Sequence, residues 1–162
     1  MSAQMGKSGS KMDGGHSDFG GRDLHIGDWD YGILPPTAPL PIASATATGI
    51  ALASSRKGDG RFTLAPVGEG CSSSGEFWEA INFAGARGLP ICYIIQNNQI
   101  ALDTFSNKQS GAETFGDKGA SVGLPAWSID GSDPAIYYAS VCVARELAVS
   151  CLLYTSDAAD ES

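Results

Sequence analysis

The stretch FTLAPVGEGCSSSGEFWEAINFAGARGLPICYII, residues 62–95, decides the fold of this chain. Two short apolar runs, residues 62–67 and 91–95, lie at its ends beside glycine- and proline-rich turns, which is typical of buried strands. Between them, Phe77 and Ile81 recur at the spacing of one helix face. A strand, a helix and a second strand of these lengths form a βαβ unit with parallel strands. The sequence therefore predicts an α/β fold with a mostly parallel sheet flanked by helices.

The ends of the central helix also follow from the sequence. Ser73 and Glu76 have the spacing of a capping box, in which the hydroxyl accepts a free N–H and the glutamate reaches back. Gly88 is expected to end the helix in the left-handed conformation, and Pro90 prevents its continuation.

Elements are also predicted on both sides of this unit. A small apolar helix is expected over residues 46–57, and a third strand over residues 127–129. Asp133 and Pro134 predict the N-cap and first position of a last helix, which we expect to end near residue 150.

Composition excludes several classes of protein. The chain has 162 residues and a net charge of −8, and its 10 basic residues are scattered, which argues against nucleic acid as a partner. No run of about 18 apolar residues is present, so we expect no membrane span. The chain opens with no basic and apolar leader, and its four cysteines form no CxxC pair. We therefore expect a cytoplasmic protein.

The two ends of the chain differ in character from its middle. Residues 1–25 are rich in Gly, Ser and Lys without an apolar face and predict a loop, and Met1 is interpreted as an internal methionine. Residues 151–161 resemble a translated sequencing adaptor; an ordinary disordered acidic terminus is the alternative. We thus expect residues 1–150 to be part of a domain truncated at both ends, and residues 151–162 to be a non-native or disordered tail.

Polar residues follow both strands of the βαβ unit. Glu69, between two glycines, follows the first strand, and Asn97 and Asn98 follow the second. Ligands of open parallel sheets bind at the carboxyl ends of the strands, so these groups are expected to face one crevice. The serines at 72–74 precede the helix N-terminus, where an anion is favoured.

A carboxylate and an amide beside an anion site suit magnesium bound to a diphosphate, because this ion prefers oxygen ligands, some of them from phosphate. Glu69 and Asn98 would be direct ligands, and the backbone carbonyl of Ile100 would be a third. The alternative is purely structural: Glu69 caps the helix, and the asparagines form a turn.

The residues around these positions resemble a known family. The stretch GEGCSSSGEFWEAINFAGARGLPICYIIQNNQIALDT, residues 68–104, is similar to the alpha subunit of the thiamine diphosphate-dependent decarboxylating component of 2-oxo acid dehydrogenases. GEG followed by NN, with 29 positions from Glu69 to Asn98, resembles the thiamine diphosphate motif of that family. The upstream APLPIASATATGIALA, residues 38–53, resembles the branched-chain (2-oxoisovalerate) type. The similarity covers roughly residues 20–150.

The resemblance implies a thiamine diphosphate-binding fold and a role for each matching residue. Glu69 and Asn98 match the magnesium ligands, and Ile100 matches the residue that provides a backbone carbonyl. Three residues match the turn that contacts the diphosphate: Gly68, Gly70 and Cys71. Leu40 matches the residue that supports the aminopyrimidine end of the cofactor. His25 matches a histidine near the mouth of the active site and is the candidate catalytic residue.

The function implied by the resemblance is oxidative decarboxylation of a branched-chain 2-oxo acid, with acyl transfer to a lipoyl-bearing acyltransferase. It implies thiamine diphosphate and magnesium as cofactors, a separate or fused beta subunit as partner, and the mitochondrial matrix as location in a eukaryote. A fragment of this kind is expected to be inactive alone. The alternatives are a pyruvate or acetoin dehydrogenase alpha subunit, and a non-catalytic α/β module that binds phosphate or metal.

Overall fold

The computed structural model describes residues 27–37 and 39–157 of the chain. Two compact units are present, Met1–Leu40 and Pro41–Ser162. The described part of the first unit contains a single 3-10 turn, Trp29–Tyr31, closed by backbone hydrogen bonds in both directions between Asp28 and Ile33, of 2.7 and 2.9 Å.

The second unit contains the βαβ stretch. In chain order its helices and strands are α1 (Ile42–Lys57), β1 (Thr63–Gly68), α2 (Gly75–Arg87), β2 (Ile91–Gln96), β3 (Ile100–Ala101), β4 (Thr104–Phe105), α3 (Ser106–Gln109), α4 (Gly116–Ala120) and α5 (Pro134–Asp157). β1 and β2 pair in parallel, from Thr63 opposite Ile91 to Gly68 opposite Gln96. β3 and β4 form a small antiparallel hairpin. The predicted α/β class with parallel strands is confirmed.

Helix α2 begins one residue later than the capping box predicts. Ser74, in an extended conformation, is the N-cap, and its hydroxyl accepts the backbone N–H of Phe77 at 3.2 Å. Ser73 belongs instead to a 3-10 turn, Cys71–Ser73, so its own hydroxyl is not at the helix start. The predicted end is confirmed, because Gly88 adopts a left-handed conformation with φ of 56°.

The core lies between the two parallel strands and the helices that pack on them. Phe77 and Ile81 on α2 pack against Val67 of β1, which confirms the helical periodicity. A second cluster consists mainly of small residues and joins α1 to the sheet: Ala51, Ala65, Ala84, Leu89 and Ile91. Alanines at these positions let the helix and sheet backbones approach closely, so both helices are held against β1.

The predicted third strand does not form. Residues 127–129 make no ladder and line a broad groove together with Tyr93–Ile95 of β2. β2 therefore pairs only with β1 among the described residues, and most of its side chains are half-buried rather than fully buried. An apolar run suits a segment for a central strand, but residues 127–129 would also have to lie alongside β2 within hydrogen-bonding distance to form one.

Two helix boundaries differ from the prediction. α1 begins at Ile42, four residues earlier than expected, directly after Pro41. The start of α5 is confirmed, since the Asp133 carboxylate accepts the backbone N–H of Ala135 at 2.8 Å. Its end is not, because the helix continues to Asp157 instead of ending near residue 150. No glycine or proline interrupts this segment, so nothing in the local sequence stops the helix.

Tyr93 on β2 ties the two helices to the sheet. Its hydroxyl lies 2.6 Å from the Thr48 hydroxyl on α1 and donates to the Ala80 carbonyl on α2 at 3.1 Å. The ring also packs edge-on against Phe77, with 5.8 Å between centroids. Burial raises the pKa of Tyr93 to about 12, and the hydrogen bond with Thr48 opposes this rise.

This raised pKa predicts a loss of stability in alkali. Between about pH 10 and 12 the unfolded chain releases the phenol proton while the folded chain keeps it, so stability falls as pH rises. We expect a loss of about 1 kcal/mol per pH unit in this window, measured as the free energy of unfolding in urea from about pH 8 to 12. The Tyr93→Phe variant, which has no proton to lose there, is expected to show a flatter profile; an equally steep one would contradict the assignment.

Within residues 27–37 and 39–157, none of the helices has the length and apolar character needed to cross a lipid bilayer.

Candidate functional site

The first part of the site is a tight turn at the carboxyl end of β1. The Glu69 N–H donates to the Gln96 carbonyl at 3.3 Å, which extends the β1–β2 ladder by one bond. Ser72 closes the turn, because both its N–H, at 3.1 Å, and its hydroxyl, at 2.6 Å, donate to the Glu69 carbonyl. The backbone at Glu69 is thus held from two sides, by the neighbouring strand and by Ser72.

The Glu69 side chain lies inside the protein. The residue is 3% exposed, and its Oε1 atom is buried without a hydrogen-bond partner. Buried polar atoms almost always have partners, so this oxygen calls for one that the described part of the chain does not supply. A cation is the chemically matched partner for such an oxygen.

The second part of the site is the loop after β2, which contains both predicted asparagines. The Asn97 Oδ1 accepts the Gln99 N–H at 2.9 Å, and the Asn98 Oδ1 accepts the Ile100 N–H at 3.1 Å. Gln99 has a positive φ of 71°, which turns the chain back towards β1. An amide oxygen has two lone pairs, so the Asn98 oxygen still has one for a cation.

The β3–β4 hairpin places the loop against the turn. A Cβ atom built on Gly70 would lie 2.5 Å from the Ala101 Cβ, so only glycine allows this approach. Because Ile100 directly precedes Ala101 in β3, its backbone is brought beside the turn that carries Glu69. This hairpin was not predicted from the sequence, since its turn contains Leu102 at a positive φ of 53° rather than a residue typical of hairpins.

The structure places residues 68–71 at the carboxyl end of β1 and in the turn after it, and brings Ala101, next to Ile100, against Gly70. Nothing lies within 4 Å of a Cβ built on Gly68, so the space beside it is open. Cys71 packs partly against the Val67 cluster, which leaves its backbone rather than its thiol for a ligand. Asn98 also lines the groove beside β2, which Glu69 does not line. Ligation of one ion by both side chains therefore stays a prediction.

For two further predicted residues, the role in the site stays a prediction. Leu40 ends the first compact unit and is 56% exposed, and its contact with a cofactor stays a prediction. His25 lies outside the residues that the structure describes, so its predicted catalytic role stays a prediction too. Among the described residues no group of three His, Cys, Asp or Glu side chains is present, so the candidate site depends on one carboxylate with amide and backbone oxygens.

Lys118 on α4 also contacts this turn, although it was not among the predicted site residues. Its ammonium donates to both the carbonyl and the hydroxyl of Ser72, at 2.9 Å each. The only local signal is a lysine among small residues in FGDKGA, residues 115–120, which does not distinguish a buried lysine from a solvated one.

Fold and site together define a class of protein. Parallel strands joined by a helix, with polar side chains after the carboxyl end of each strand, are the arrangement in which open α/β sheets bind ligands. The comparisons with known proteins specify the family.

The family model described as "Dehydrogenase E1 component" matches residues 1–152, and the chain belongs to this family. The family is thiamine diphosphate-dependent. Relatives include the pyruvate dehydrogenase E1 component subunit alpha of Bacillus subtilis (strain 168), which is 36% identical over 121 residues, or 75% of this chain and 33% of the relative. The subunit of the same name from Staphylococcus aureus (strain Mu50) is 39% identical over 117 residues, or 72% of this chain and 32% of the relative.

These matches refine the expectation drawn from the sequence. The chain spans about a third of the length of the curated relatives it matches. The resemblance to 2-oxo acid dehydrogenase alpha subunits is confirmed. The branched-chain type is not, because the relatives named above are pyruvate dehydrogenase subunits.

Proposed function

We propose that this chain is the cofactor-anchoring part of a 2-oxo acid dehydrogenase alpha subunit that binds thiamine diphosphate through magnesium. The observation that carries the proposal is the buried, unpartnered Glu69 oxygen at the tip of β1, in a chain that belongs to a thiamine diphosphate-dependent family. When bound, the cofactor supplies the chemistry for decarboxylating a 2-oxo acid. The residues of this chain bind and orient it.

The donor set fits magnesium. Glu69 supplies a carboxylate oxygen with no other partner, and Asn98 supplies an amide oxygen with a remaining lone pair. The Ile100 carbonyl would complete the protein ligands, and diphosphate oxygens and water would fill the other positions. The turn at Gly68, Gly70 and Cys71 would hold the diphosphate through its backbone, with the N-terminus of α2 nearby to favour an anion.

Pyruvate is the proposed 2-oxo acid, in place of a branched-chain one. The names of the relatives support this choice over the branched-chain type. Pairing with a beta subunit and acyl transfer to a lipoyl-bearing acyltransferase are part of the same proposal, which concerns the whole protein.

The proposal is tested by calorimetric titration of the chain with thiamine diphosphate, with magnesium and with EDTA. We expect binding that needs the metal. The Gly68→Ala variant is expected to fold normally, since its Cβ meets nothing within 4 Å, but to bind roughly tenfold more weakly because the methyl group fills space next to the cofactor.

Gly131→Ala is the matched control, because it adds the same methyl group in an equally open place in the loop before α5. Its affinity should equal that of the unmodified chain. Absence of binding by the unmodified chain, or binding unaffected by EDTA, would contradict the proposed function.

A further inference from the structure

Lys118 is a buried cation directly behind the turn that carries Glu69. The residue is 4% exposed, and its ammonium is held by two bonds of 2.9 Å to Ser72. The rings of Trp78 and Phe115 flank it, with their centroids 5.5 and 5.1 Å from the nitrogen. All of these partners are neutral, so none carries a negative charge opposite the ammonium.

No carboxylate of the described part of the chain lies within ion-pair distance of Lys118. The ion pair between described residues joins Arg61 and Asp59 and does not involve Lys118. A buried charge is costly, even where hydrogen bonds and aromatic faces recover part of the cost. Burial lowers the pKa of Lys118, which is the expected sign of that cost. A methionine would fill the same space without the cost of burying a charge. The stability of the core therefore does not explain why a lysine is present at this position.

The hydrogen bonds of Lys118 lead to the candidate site. The ammonium binds the Ser72 hydroxyl, and this hydroxyl donates to the Glu69 carbonyl at 2.6 Å. The lysine therefore orients the hydroxyl that closes the turn, and it places a positive charge beside the backbone where a diphosphate is proposed to bind.

We propose that Lys118 is a positioning residue of the cofactor turn, whose uncompensated positive charge favours a bound polyanion and disfavours a divalent cation bound without it. The inference rests on the proposed function. It makes binding of the metal and of the diphosphate interdependent: the free site resists the cation, and the diphosphate removes that resistance.

The test uses two probes whose affinities should change in opposite directions. In the Lys118→Met variant, affinity for inorganic pyrophosphate with magnesium is expected to fall about tenfold or more, because a positive charge that attracts the polyanion is removed. Affinity for Mn²⁺ alone, measured by EPR in place of magnesium, is expected to rise severalfold for the same reason. A merely structural role would weaken both.

Three further variants complete the experiment. Lys118→Arg keeps the charge and should restore most of the pyrophosphate affinity. Lys118→Gln keeps a donor for Ser72 without the charge, and should behave like Lys118→Met; it also replaces that variant if methionine prevents folding. Lys57→Met removes an exposed charge at the end of α1, by the start of β1, and should change neither affinity.

The outcomes separate this inference from the proposed function. If the unmodified chain binds pyrophosphate with magnesium and Lys118→Met and Lys118→Gln bind it equally well, the inference fails and the proposed function stands. If both probes bind more weakly in Lys118→Met and Lys118→Gln, Lys118 is structural and the inference fails. If the unmodified chain binds neither pyrophosphate nor thiamine diphosphate, the proposed function fails and the inference fails with it.

Discussion

The Glu69→Gln variant is expected to lose thiamine diphosphate affinity by about a hundredfold or more in the presence of magnesium. Residues that only support a metal ligand already cost 10- to 100-fold when changed, so a direct ligand should cost at least the upper end of that range. Glutamine has nearly the same shape, so the space around the buried side chain is kept while the charge is lost. Calorimetric titration of the cofactor at a fixed magnesium concentration measures the change.

Thermal unfolding of Glu69→Gln provides a second measurement, in which the stability of the metal-free variant is expected to be unchanged or higher although its cofactor affinity is lower. Without metal, the variant should melt at the same temperature as the unmodified chain or higher, because a buried charge with an unpartnered oxygen has been removed. Added magnesium and thiamine diphosphate should stabilise only the unmodified chain, since ligand binding adds to its stability.

The control for Glu69→Gln is Glu79→Gln. Glu79 is an exposed glutamate on α2, so this change removes the same charge from the surface. Both its affinity and its stabilisation by ligand should match those of the unmodified chain. Unchanged affinity in Glu69→Gln would remove Glu69 from the metal site.

The Phe77→Ala variant is expected to lose about 3–5 kcal/mol of stability, which is the usual range for removing a buried phenylalanine. Phe77 is 1% exposed, packs with Val67 and Ile81, and contacts the Tyr93 ring edge-on. Because small domains have a total stability of about 5–15 kcal/mol, a change of this size would leave much of the population unfolded.

Urea unfolding followed by circular dichroism measures this loss. Tyr138→Ala is the matched control, since it removes another large aromatic side chain, from a residue that is 72% exposed on α5. Its effect should stay within about 0.5 kcal/mol. A loss below about 1 kcal/mol in Phe77→Ala would mean that the core does not depend on α2 as described.

Stability and site are linked through α2. Phe77, the largest of the fully buried side chains in the described part of the chain, also supplies the backbone N–H that Ser74 caps, so one residue belongs to both the core and the start of the helix. The turn between β1 and that helix carries Glu69. Weakening the core is therefore expected to loosen the candidate site as well.

Several features of this protein could be predicted because they depend on near neighbours in the chain. Two short apolar runs located β1 and β2, and the helical spacing and caps located α2, to within a residue or two. Gly88 ends α2 and Asp133 caps α5 as their chemistry predicts. Once two strands are known to be parallel and adjacent, the meeting of their carboxyl ends follows, which is why the Glu69 and Asn98 segments could be assigned to one edge.

Other features depend on contacts between distant segments. The third strand at residues 127–129 has the right composition but makes no ladder with β2. The β3–β4 hairpin depends on the close approach of Gly70 and Ala101 rather than on a typical turn sequence. Neither outcome is encoded in the local pattern of apolar residues.

The βαβ unit, its parallel strands and the strand tips at which a ligand would bind follow from the order of residues alone, because apolar periodicity and helix capping act over a few residues. Which polar groups are buried at those tips, and what they contact, depends on the packing of distant segments. Lys118 reaches Ser72 across 46 positions of the chain, and Glu69 is left with an unpartnered oxygen. Burial and pairing of charges depend on which surfaces exclude water together, and that depends on how the segments pack.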